Sequence, residues 1–367
     1  MSKIIPVSYE GSECYKIVIN NDFSMLREYV LSELSLQGRK VCIVTDSNVG
    51  PLYAKEVQDI LTSLCGKVMV YTIPAGEENK NLDTVKELYK FLIEEHFDRH
   101  DMLAALGGGV VGDLTGYAAA TYLRGISFIQ IPTTLLSQTD SSIGGKTGVD
   151  LDAYKNMVGA FHMPSLVYMN TSTLKTLSDR QFASGMAEVL KHGIIKSEPF
   201  YTWLIDSFNE INDKEPEALE HMIYESCLIK KAVVEKDPKE KGERALLNFG
   251  HTLGHAIEKY KDFKLTHGEC VALGCVCAAI ISYKRQLLSA EECYEIRDFF
   301  MPFNLPITVD DIDVEEIIRL TKSDKKADGD TIRFILLKKV GSAFIDRTVT
   351  DDEMRFALNE IYFNERD

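Results

Sequence analysis

The sequence contains no C-x-x-C pair, although eight of its 367 residues are cysteines. A disulfide oxidoreductase motif and a thiolate zinc ribbon are therefore not indicated. Cys275 and Cys277 lie in the apolar run VALGCVCAAII and are predicted to be buried, reduced thiols. This run is too short to span a bilayer, and the N-terminal MSKIIPVSYE lacks the apolar core of a signal peptide. We expect a cytoplasmic protein.

Positive charge is also scarce, with 41 Lys and Arg against 56 Asp and Glu and a formal net charge of −15. This balance argues against nucleic acid or an anionic membrane as a partner. An anionic ligand must then be bound by a local cluster of cations. The remaining composition, 45% hydrophobic and 26% charged, is that of a globular protein, and the length favours two domains over one.

The two halves of the chain differ in their apolar patterns. Short apolar runs that alternate with helical stretches predict strands at residues 15–19, 40–45, 67–73, 102–106 and 127–131. Such alternation is typical of parallel βαβ units and a doubly wound sheet. Beyond residue 177 helical patterns dominate. We therefore predict an α/β domain with a Rossmann-like parallel sheet over residues 1–177 and a mainly α-helical domain over residues 178–367, with a site between them.

Three of the eight histidines lie close together in the helical half. His251 and His255 are four residues apart in a helical pattern, so their imidazoles share one face, and His267 follows a polar break. Two helical histidines, a third nearby and one carboxylate could hold a borderline metal ion such as zinc. The metalloprotease motif H-E-x-x-H is absent, because Thr252 stands in place of the general-base Glu.

The alternative is a helix whose histidines only cap or pack. Arg244, Asn248, Gly250 and Gly254 favour the ligand site, because they form a polar, small-residue face where a core helix would carry Leu and Ile. Glu188 is the best candidate for the carboxylate. It shares a helical face with Lys191, so an ordinary i,i+3 salt bridge is the competing interpretation.

A glycine-rich segment, GGGVVGD at residues 107–113, follows a predicted strand and opens a predicted helix. Glycines there let backbone N–H groups approach a pyrophosphate. The motif departs from the usual Rossmann fingerprint, since it follows a later strand and has no acid about 20 residues on. Asp46 is the better candidate for a ribose hydroxyl, and Glu77 and Lys80 follow the next strand. Each alone could be a cap or a solvated charge, but three strand ends together favour a dinucleotide crevice.

The segment PTTLLSQTDSSIGGKTG at residues 132–148 carries further polar groups. Thr133 and Thr134 end a strand, where hydroxyls can meet a cofactor. Lys146 follows two glycines and suits a phosphate or a carboxylate, although the P-loop spacing is absent. Asp140 suits a substrate hydroxyl or a lysine partner. Lys230, Arg244 and the pair Lys325 and Lys326 are further cationic candidates.

These motifs together resemble the 3-dehydroquinate synthase family of sugar phosphate cyclases. The resemblance spans residues 46–341 and rests on PAGEENK, GGGVVGDLTG, YLRGI, PTTLLSQTDSSIGGKTG, KNMVGAF, SGMAEVLK and LNFGHTLGHAIE followed by HGE. It implies an NAD-binding domain and a metal-binding helical domain. It also implies conversion of 3-deoxy-D-arabino-heptulosonate 7-phosphate to 3-dehydroquinate and phosphate by transient oxidation with NAD, β-elimination of phosphate, re-reduction and intramolecular aldol closure.

The resemblance also implies residue roles. The implied ligands of zinc or cobalt are Glu188, His251 and His267. The implied NAD contacts are Asp46, Glu77, Lys80, Gly109, Val110, Val111, Gly112, Asp113, Thr133, Thr134, Lys146, Lys155, Thr173, Leu174, Lys175 and Thr176. The implied substrate residues are Asp140, Lys146, Asn156, Lys191, Lys230, Arg244, Asn248, His255 and Lys326. Arg124 would reach the phosphate in the neighbouring subunit of a homodimer. The choice between Lys325 and Lys326, and that between the two metals, stay open.

Three other functions compete with this interpretation. A metal-dependent polyol or alcohol dehydrogenase would share the two-domain plan but would need no phosphate pocket, which the cations Lys146, Lys191, Lys230 and Arg244 oppose. A cyclase with another product, such as an inosose or valiolone, is disfavoured by the intact GGKTG and the Lys155–Asn156 pair. A non-catalytic protein with a structural metal is disfavoured by the lysine-rich surroundings of the candidate metal site.

Overall fold

The computed structural model describes residues 2–152, 154–240, 242–323 and 332–363. It divides into two compact units. The first comprises Met1–Leu177 and Leu219–Lys231, and the second comprises Ser178–Ala218 and Ala232–Asp367. Lys325 and Lys326, the alternative phosphate contacts, lie outside the described residues.

In the part of the chain that the structure describes, the first unit contains a seven-stranded sheet, four α-helices of its own and most of a long helix that it shares with the second unit. Its strands are β1 Lys3–Tyr9, β2 Ser12–Asn20, β3 Lys40–Asp46, β4 Lys67–Ile73, β5 Met102–Gly107, β6 Ser127–Pro132, β7 Lys146–Leu151, β8 Tyr154–Phe161 and β9 Leu166–Asn170. Strands β7 and β8 form a separate two-stranded hairpin. Its helices are α1 Leu26–Glu33, α2 Lys55–Thr62, α3 Leu82–Glu94 and α4 Gly109–Thr121. The strand order is β1-β2-β9-β6-β5-β3-β4. The β1–β2 pair is antiparallel, and the other pairs described for this sheet are parallel.

Helices cover both faces of this sheet. Along β3, Val41 and Ile43 belong to one buried cluster, which includes side chains of α1 and α2. The alternate residues Cys42 and Val44 belong to a second cluster, which includes side chains of α3 and α4. Because successive side chains of a strand point to opposite faces, a strand buried on both sides reads as a continuous apolar run. This confirms the predicted α/β class with a parallel sheet.

The second unit is mainly helical. Its helices, with the long helix that is shared between the two units, are α5 Asp179–Lys196, α6 Glu198–Asp206, α7 Phe208–Asn212, α8 Pro216–Lys236, α9 His251–Tyr260, α10 His267–Lys284, α11 Ala290–Asp298, α12 Val314–Ser323 and α13 Asp351–Ile361. A hairpin of β10 Phe334–Lys339 and β11 Ser342–Asp346 completes it. Helix α10 packs against α5, α9, α11 and α13, which explains its nearly uniform apolar composition, and Cys275 and Cys277 on it are buried and free as predicted. In the described residues no helix is both long and apolar enough to cross a membrane.

Helical apolar spacing predicts helices over residues 248–261 and 269–287, and the start predicted for each of them is wrong. The helix predicted from residue 248 begins at His251, because a 3-10 turn occupies Glu243–Asn248 and Gly250 adopts a φ of +79°. The helix predicted from residue 269 begins at His267, where Thr266 and Glu269 form a capping box. Strands β1 and β9 and the hairpin β7–β8 were not predicted; β1 carries a proline, which an edge strand tolerates.

Candidate functional site

Helices α9 and α10 pack closely because both carry glycines where they cross. A Cβ atom on Gly274 would lie 1.8 Å from the carbonyl oxygen of Gly250, and one on Gly254 would lie 2.7 Å from that of Cys270. We expected Gly250 and Gly254 to belong to a ligand-binding face, and this expectation is wrong: both face α10. The glycines instead allow the close helix approach that brings the histidines of α9 beside His267 at the start of α10.

Helix α5 approaches α10 in the same way. A Cβ atom on Gly268 would lie 2.1 Å from the carbonyl oxygen of Ser184, whose hydroxyl accepts a 3.0 Å hydrogen bond from the Gly268 amide. This contact is one turn from Glu188 on α5. Glu188 therefore lies beside the start of α10, where His267 is the first residue.

Three potential metal-ligand atoms converge at this point. The Oε1 atom of Glu188 lies 3.6 Å from Nε2 of His251 and 3.6 Å from Nε2 of His267. Glu188 is 1% exposed, and its Oε1 atom has no hydrogen-bond partner among the described residues. A buried carboxylate oxygen without a partner is costly unless a ligand satisfies it. The donor set of two imidazoles and one carboxylate suits zinc or cobalt.

The other ring nitrogens of the two histidines are also held in place. Nδ1 of His251 lies 3.1 Å from the carbonyl oxygen of Phe249, and Nδ1 of His267 lies 3.4 Å from Oε2 of Glu258. Metal-binding histidines commonly donate their outer N–H to an oxygen, which directs the lone pair of the inner nitrogen to the metal. Both imidazoles are arranged in this way.

The electrostatics of the cluster favour an ionised carboxylate. Burial alone would raise the pKa of Glu188, but Lys191, His267 and His251 together hold that pKa well below its usual value. Burial and the nearby Lys191 lower the pKa of His251 well below its usual value. Burial would lower the pKa of His267 as well, yet Glu188 and Glu258 raise it to about 9. A cation between these atoms would therefore compete with a proton on His267.

His255 lies at the edge of the cluster. Its ring centroid is 5.0 Å from that of His251 and 5.7 Å from that of His267, and its side chain is exposed. The three histidines could themselves hold a metal, since their nearest ligand atoms lie within 4.8 Å of one another. The partnerless oxygen of Glu188 favours the set with Glu188, and the exposure of His255 suits proton exchange.

Three predicted substrate residues of the second unit make polar contacts of their own. Lys191 is 1% exposed and contacts Oε2 of Glu188, so the i,i+3 salt bridge is present beside the candidate metal site. Arg244 is buried and donates a 2.7 Å hydrogen bond to the carbonyl oxygen of Pro238. Asn248 donates a 2.9 Å hydrogen bond to Oε1 of Glu240. Glu240 was not predicted; its only signal in the sequence is an acid four residues before Arg244.

The glycine-rich turn of the first unit connects β5 to α4. Strands β4, β3 and β5 are neighbours in the sheet, so their carboxyl ends, near Glu77, Asp46 and Gly107, lie at one edge as predicted. Gly108 precedes α4, and no side chain of the described residues caps the helix, so its first N–H groups form the kind of site that binds a phosphate. A Cβ atom on Gly112 would lie 2.7 Å from Oε1 of Gln130, so this glycine serves helix–strand packing.

The other predicted NAD contacts vary in what their side chains do. Oδ1 of Asp46 accepts hydrogen bonds from the amides of Asn48, at 2.8 Å, and Val49, at 2.9 Å, which is the local cap that sequence reasoning left open. The following side chains are buried: Val111, Thr133, Thr173 and Leu174. The following side chains are exposed: Lys146, Lys155, Lys175 and Thr176. Val110, Gly109 and Thr134 are intermediate.

Lys80 contacts both implied NAD residues and an implied substrate residue. Its Nζ atom lies 2.7 Å from Oδ2 of Asp113, 3.7 Å from Oε1 of Glu77 and 2.7 Å from Oδ1 of Asn156. Burial would lower the pKa of Lys80, but Asp113 and Glu77 raise it. Asn156, in turn, has a φ of +55°, and its amide donates a 2.7 Å hydrogen bond to Asp150. The lysine thus ties the hairpin β7–β8 to the glycine-rich helix.

Lys80→Met is expected to lower the free energy of unfolding by about 2 kcal/mol, because it leaves the carboxylate of Asp113, 18% exposed, without its cation. Urea unfolding measures this loss, and the double variant K80M/D113L should recover most of it. Lys90→Met is the matched control: its pair with Glu87 is more than half exposed, so the substitution should leave the free energy of unfolding almost unchanged. Equal losses in K80M and K90M would contradict the buried pairing.

Asp140 and Lys230 form a further pair within the first unit. Nζ of Lys230, which is buried, contacts both Oδ1 and the backbone carbonyl of Asp140. A lysine partner is one of the two roles that the sequence suggests for Asp140. Arg124 is exposed, and it and Leu123 adopt positive φ values of +73° and +50°.

Solved structures with the same fold fall into two groups. A 2-deoxy-scyllo-inosose synthase complexed with carbaglucose-6-phosphate, NAD+ and Co2+ is 26% identical, with a TM-score of 0.87 over 98% of this chain and 100% of that one. A 2-epi-5-epi-valiolone synthase from Streptomyces hygroscopicus with NAD+ and Zn2+ bound is 26% identical, with a TM-score of 0.88 over 99% and 100%. A glycerol dehydrogenase from Schizosaccharomyces pombe, 16% identical with a TM-score of 0.66 over 94% and 87%, shares the fold alone. The chain thus shares its fold more fully with the two cyclases, each solved with NAD+ and a divalent metal, than with this dehydrogenase.

Sequence comparison identifies the family. Residues 70–184 match the 3-dehydroquinate synthase N-terminal model, and residues 185–327 match the C-terminal model. A 3-dehydroquinate synthase from Acetivibrio thermocellus is 44% identical over 93% of this chain and 94% of that protein, and one from Symbiobacterium thermophilum is 44% identical over 96% and 99%. The chain belongs to the 3-dehydroquinate synthase family, which confirms the resemblance seen in the sequence.

Proposed function

We propose that this protein is an enzyme that converts 3-deoxy-D-arabino-heptulosonate 7-phosphate to 3-dehydroquinate and phosphate. The observation that carries the proposal is the buried Oε1 atom of Glu188, which lies 3.6 Å from a nitrogen of each of two histidines and has no hydrogen-bond partner among the described residues. Family membership over most of the chain supports the substrate and the product.

We assign a divalent metal to Glu188, His251 and His267, and NAD to the strand ends and the glycine-rich turn of the first unit. When bound, the metal supplies a Lewis acid for a substrate hydroxyl, and NAD supplies a reversible hydride acceptor. The residues present fit both groups: the cluster offers a partnerless buried oxygen, and α4 offers an uncapped N-terminus.

The chain's own polar groups would then direct the proton transfers and the departure of phosphate. Lys191 and Arg244 are buried cations, and anions that develop near buried cations are stabilised far more than they are in water. Asn248 can orient an oxygen through its amide. His255 is exposed at the edge of the cluster, so it can exchange a proton with solvent. The final aldol closure needs mainly orientation of the substrate.

The experiment measures phosphate release and NADH formation with three compounds: the heptulosonate 7-phosphate, glucose 6-phosphate and a polyol without phosphate. We expect release from the first alone, with 3-dehydroquinate as the product. Release from glucose 6-phosphate with a carbocycle as product would move the chain to the cyclases of other products. NADH formation from the polyol would move it to the dehydrogenases.

We further propose that the enzyme is a homodimer in which Arg124 reaches the substrate phosphate of the neighbouring subunit. Positive φ at both Leu123 and Arg124 is a strained backbone that functional segments often retain. The nearby part of the sequence also exposes large apolar side chains that a second copy could cover: Leu123, Leu151, Tyr154, Met157 and Phe161.

Mixing two inactive variants tests this role of Arg124. In a heterodimer of Arg124→Ala and Lys191→Ala, one site carries both defects and the other carries neither, provided that Arg124 acts across the interface. After subunit exchange, activity should therefore return to about a quarter of the wild-type value per subunit. If Arg124 serves its own subunit, every site carries one defect and the mixture stays as inactive as its components.

A further inference from the structure

Glu258 is a buried carboxylate that ends the motif LNFGHTLGHAIE, but neither the resemblance nor the proposed mechanism gives it a role. It lies near the end of α9 and is 5% exposed. Its Oε2 atom lies 3.4 Å from Nδ1 of His267, the first residue of α10. Burial of a carboxylate costs free energy, because its charge loses its contact with water. An interaction with a nearby group, here the imidazole of His267, must offset this cost.

The two ring nitrogens of His267 thus face two different carboxylates. Nδ1 faces Glu258, and Nε2 lies 3.6 Å from Oε1 of Glu188. The outer nitrogen of His251 instead lies 3.1 Å from the neutral carbonyl oxygen of Phe249. His267 is also more exposed than His251, with 30% against 14% of its side chain accessible, so its ring has less packing to hold it.

The charge balance of the cluster also favours a carboxylate beside His267. Glu188 contacts the buried ammonium of Lys191, which offsets its negative charge. A dication bound by Glu188 and the histidines would then leave the cluster strongly positive in a medium of low dielectric, where unpaired charge is expensive. Glu258 is the second buried carboxylate within reach of a ligand ring, so it supplies the balancing charge.

We propose that Glu258 is a positioning residue for the metal site. It holds the proton on Nδ1 of His267, fixes the orientation of the ring, and makes Nε2 a stronger donor to the metal. This inference rests on the proposed function, in that it takes His267 to be a metal ligand.

The test measures the affinity of the purified protein for Zn2+ by competition with a chromogenic chelator, and the visible absorption of the Co2+ form. Glu258→Ala is expected to weaken Zn2+ binding by about 10- to 100-fold and to change the Co2+ spectrum. Glu258→Gln keeps an oxygen that can accept from Nδ1 but removes the charge, so its loss should be smaller. It also remains informative should the alanine variant fold poorly.

Glu295→Gln is the matched control, because it alters a carboxylate of the same unit that accepts a 3.1 Å hydrogen bond from Tyr201. It should leave both metal readouts unchanged. His267→Ala separates the two hypotheses. If His267→Ala abolishes tight Zn2+ binding while both Glu258 variants bind Zn2+ like wild type with an unaltered Co2+ spectrum, the role of Glu258 is refuted and the metal site stands. If His267→Ala also binds like wild type, the metal site itself is refuted, and the inference with it.

Discussion

Glu188→Gln is expected to lower kcat/KM by about 10³-fold or more, because removal of a ligand forfeits several kcal/mol of transition-state stabilisation by the metal. The substitution keeps the shape of the side chain but removes the charge that Lys191, His251 and His267 surround. Metal affinity should fall in parallel. Steady-state kinetics at saturating Zn2+, together with chelator competition, measure both effects.

Glu188→Gln should also destabilise the folded protein. Lys191 is 1% exposed and contacts Glu188, so the glutamine variant leaves a buried ammonium without its counter-charge. The free energy of unfolding should therefore fall by about 3 kcal/mol, and circular dichroism must first establish that the variant is folded under assay conditions. Glu295→Gln, the control already described, should keep activity within a factor of about two. A folded E188Q protein with wild-type metal affinity would contradict the assignment.

Gly274→Ala is expected to destabilise the protein by about 4 kcal/mol or more, above the usual range for an overpacked core. The added Cβ atom would lie 1.8 Å from the backbone oxygen of Gly250, and neither atom belongs to a side chain that can rotate away. Helices α9 and α10 would have to separate. Because His251 and His267 lie on these two helices, metal affinity should fall as well. Urea unfolding, with and without Zn2+, measures both.

Gly242→Ala is the matched control for this prediction. Gly242 lies in the same unit, its φ is −153°, and a Cβ atom there would meet nothing closer than Oδ2 of Asp237 at 3.8 Å. With a ψ of −106° this backbone lies outside the regions that alanine usually adopts, so strain alone should cost about 2 kcal/mol, well below the loss in Gly274→Ala. A Gly274→Ala protein as stable as the control would show that glycine contacts do not determine the spacing of the two helices.

The sequence predicts those parts of the fold whose signals are local. Strands such as β3 are continuous apolar runs because both faces are buried, and turns with several glycines mark their ends. The hairpin β7–β8 was missed because its strands show no regular apolar alternation: the buried residues of β7 are the consecutive Thr147, Gly148 and Val149, and most of β8 is exposed. The start of α9 was misplaced because the 3-10 turn before it carries helical spacing.

The candidate ligands of the metal site could be predicted from the sequence. The residues that position those side chains could not. The spacing of His251 and His255 and the position of His267 are visible in the sequence. The role of Gly254 is not, because a small residue is compatible with either a ligand or a neighbouring helix until the partner helix is known. Glu240 and Glu258 were missed for the same reason: each acts through a contact with a residue that only the fold brings near.

The most direct test of the account follows phosphate release from 3-deoxy-D-arabino-heptulosonate 7-phosphate and the absorbance of NADH in the same cuvette, with Zn2+ and a trace of NAD. We predict many turnovers of phosphate for each NAD, no accumulation of NADH, and complete loss of phosphate release when a chelator removes the metal. Absence of phosphate release, with steady NADH formation from a simple polyol, would contradict the account.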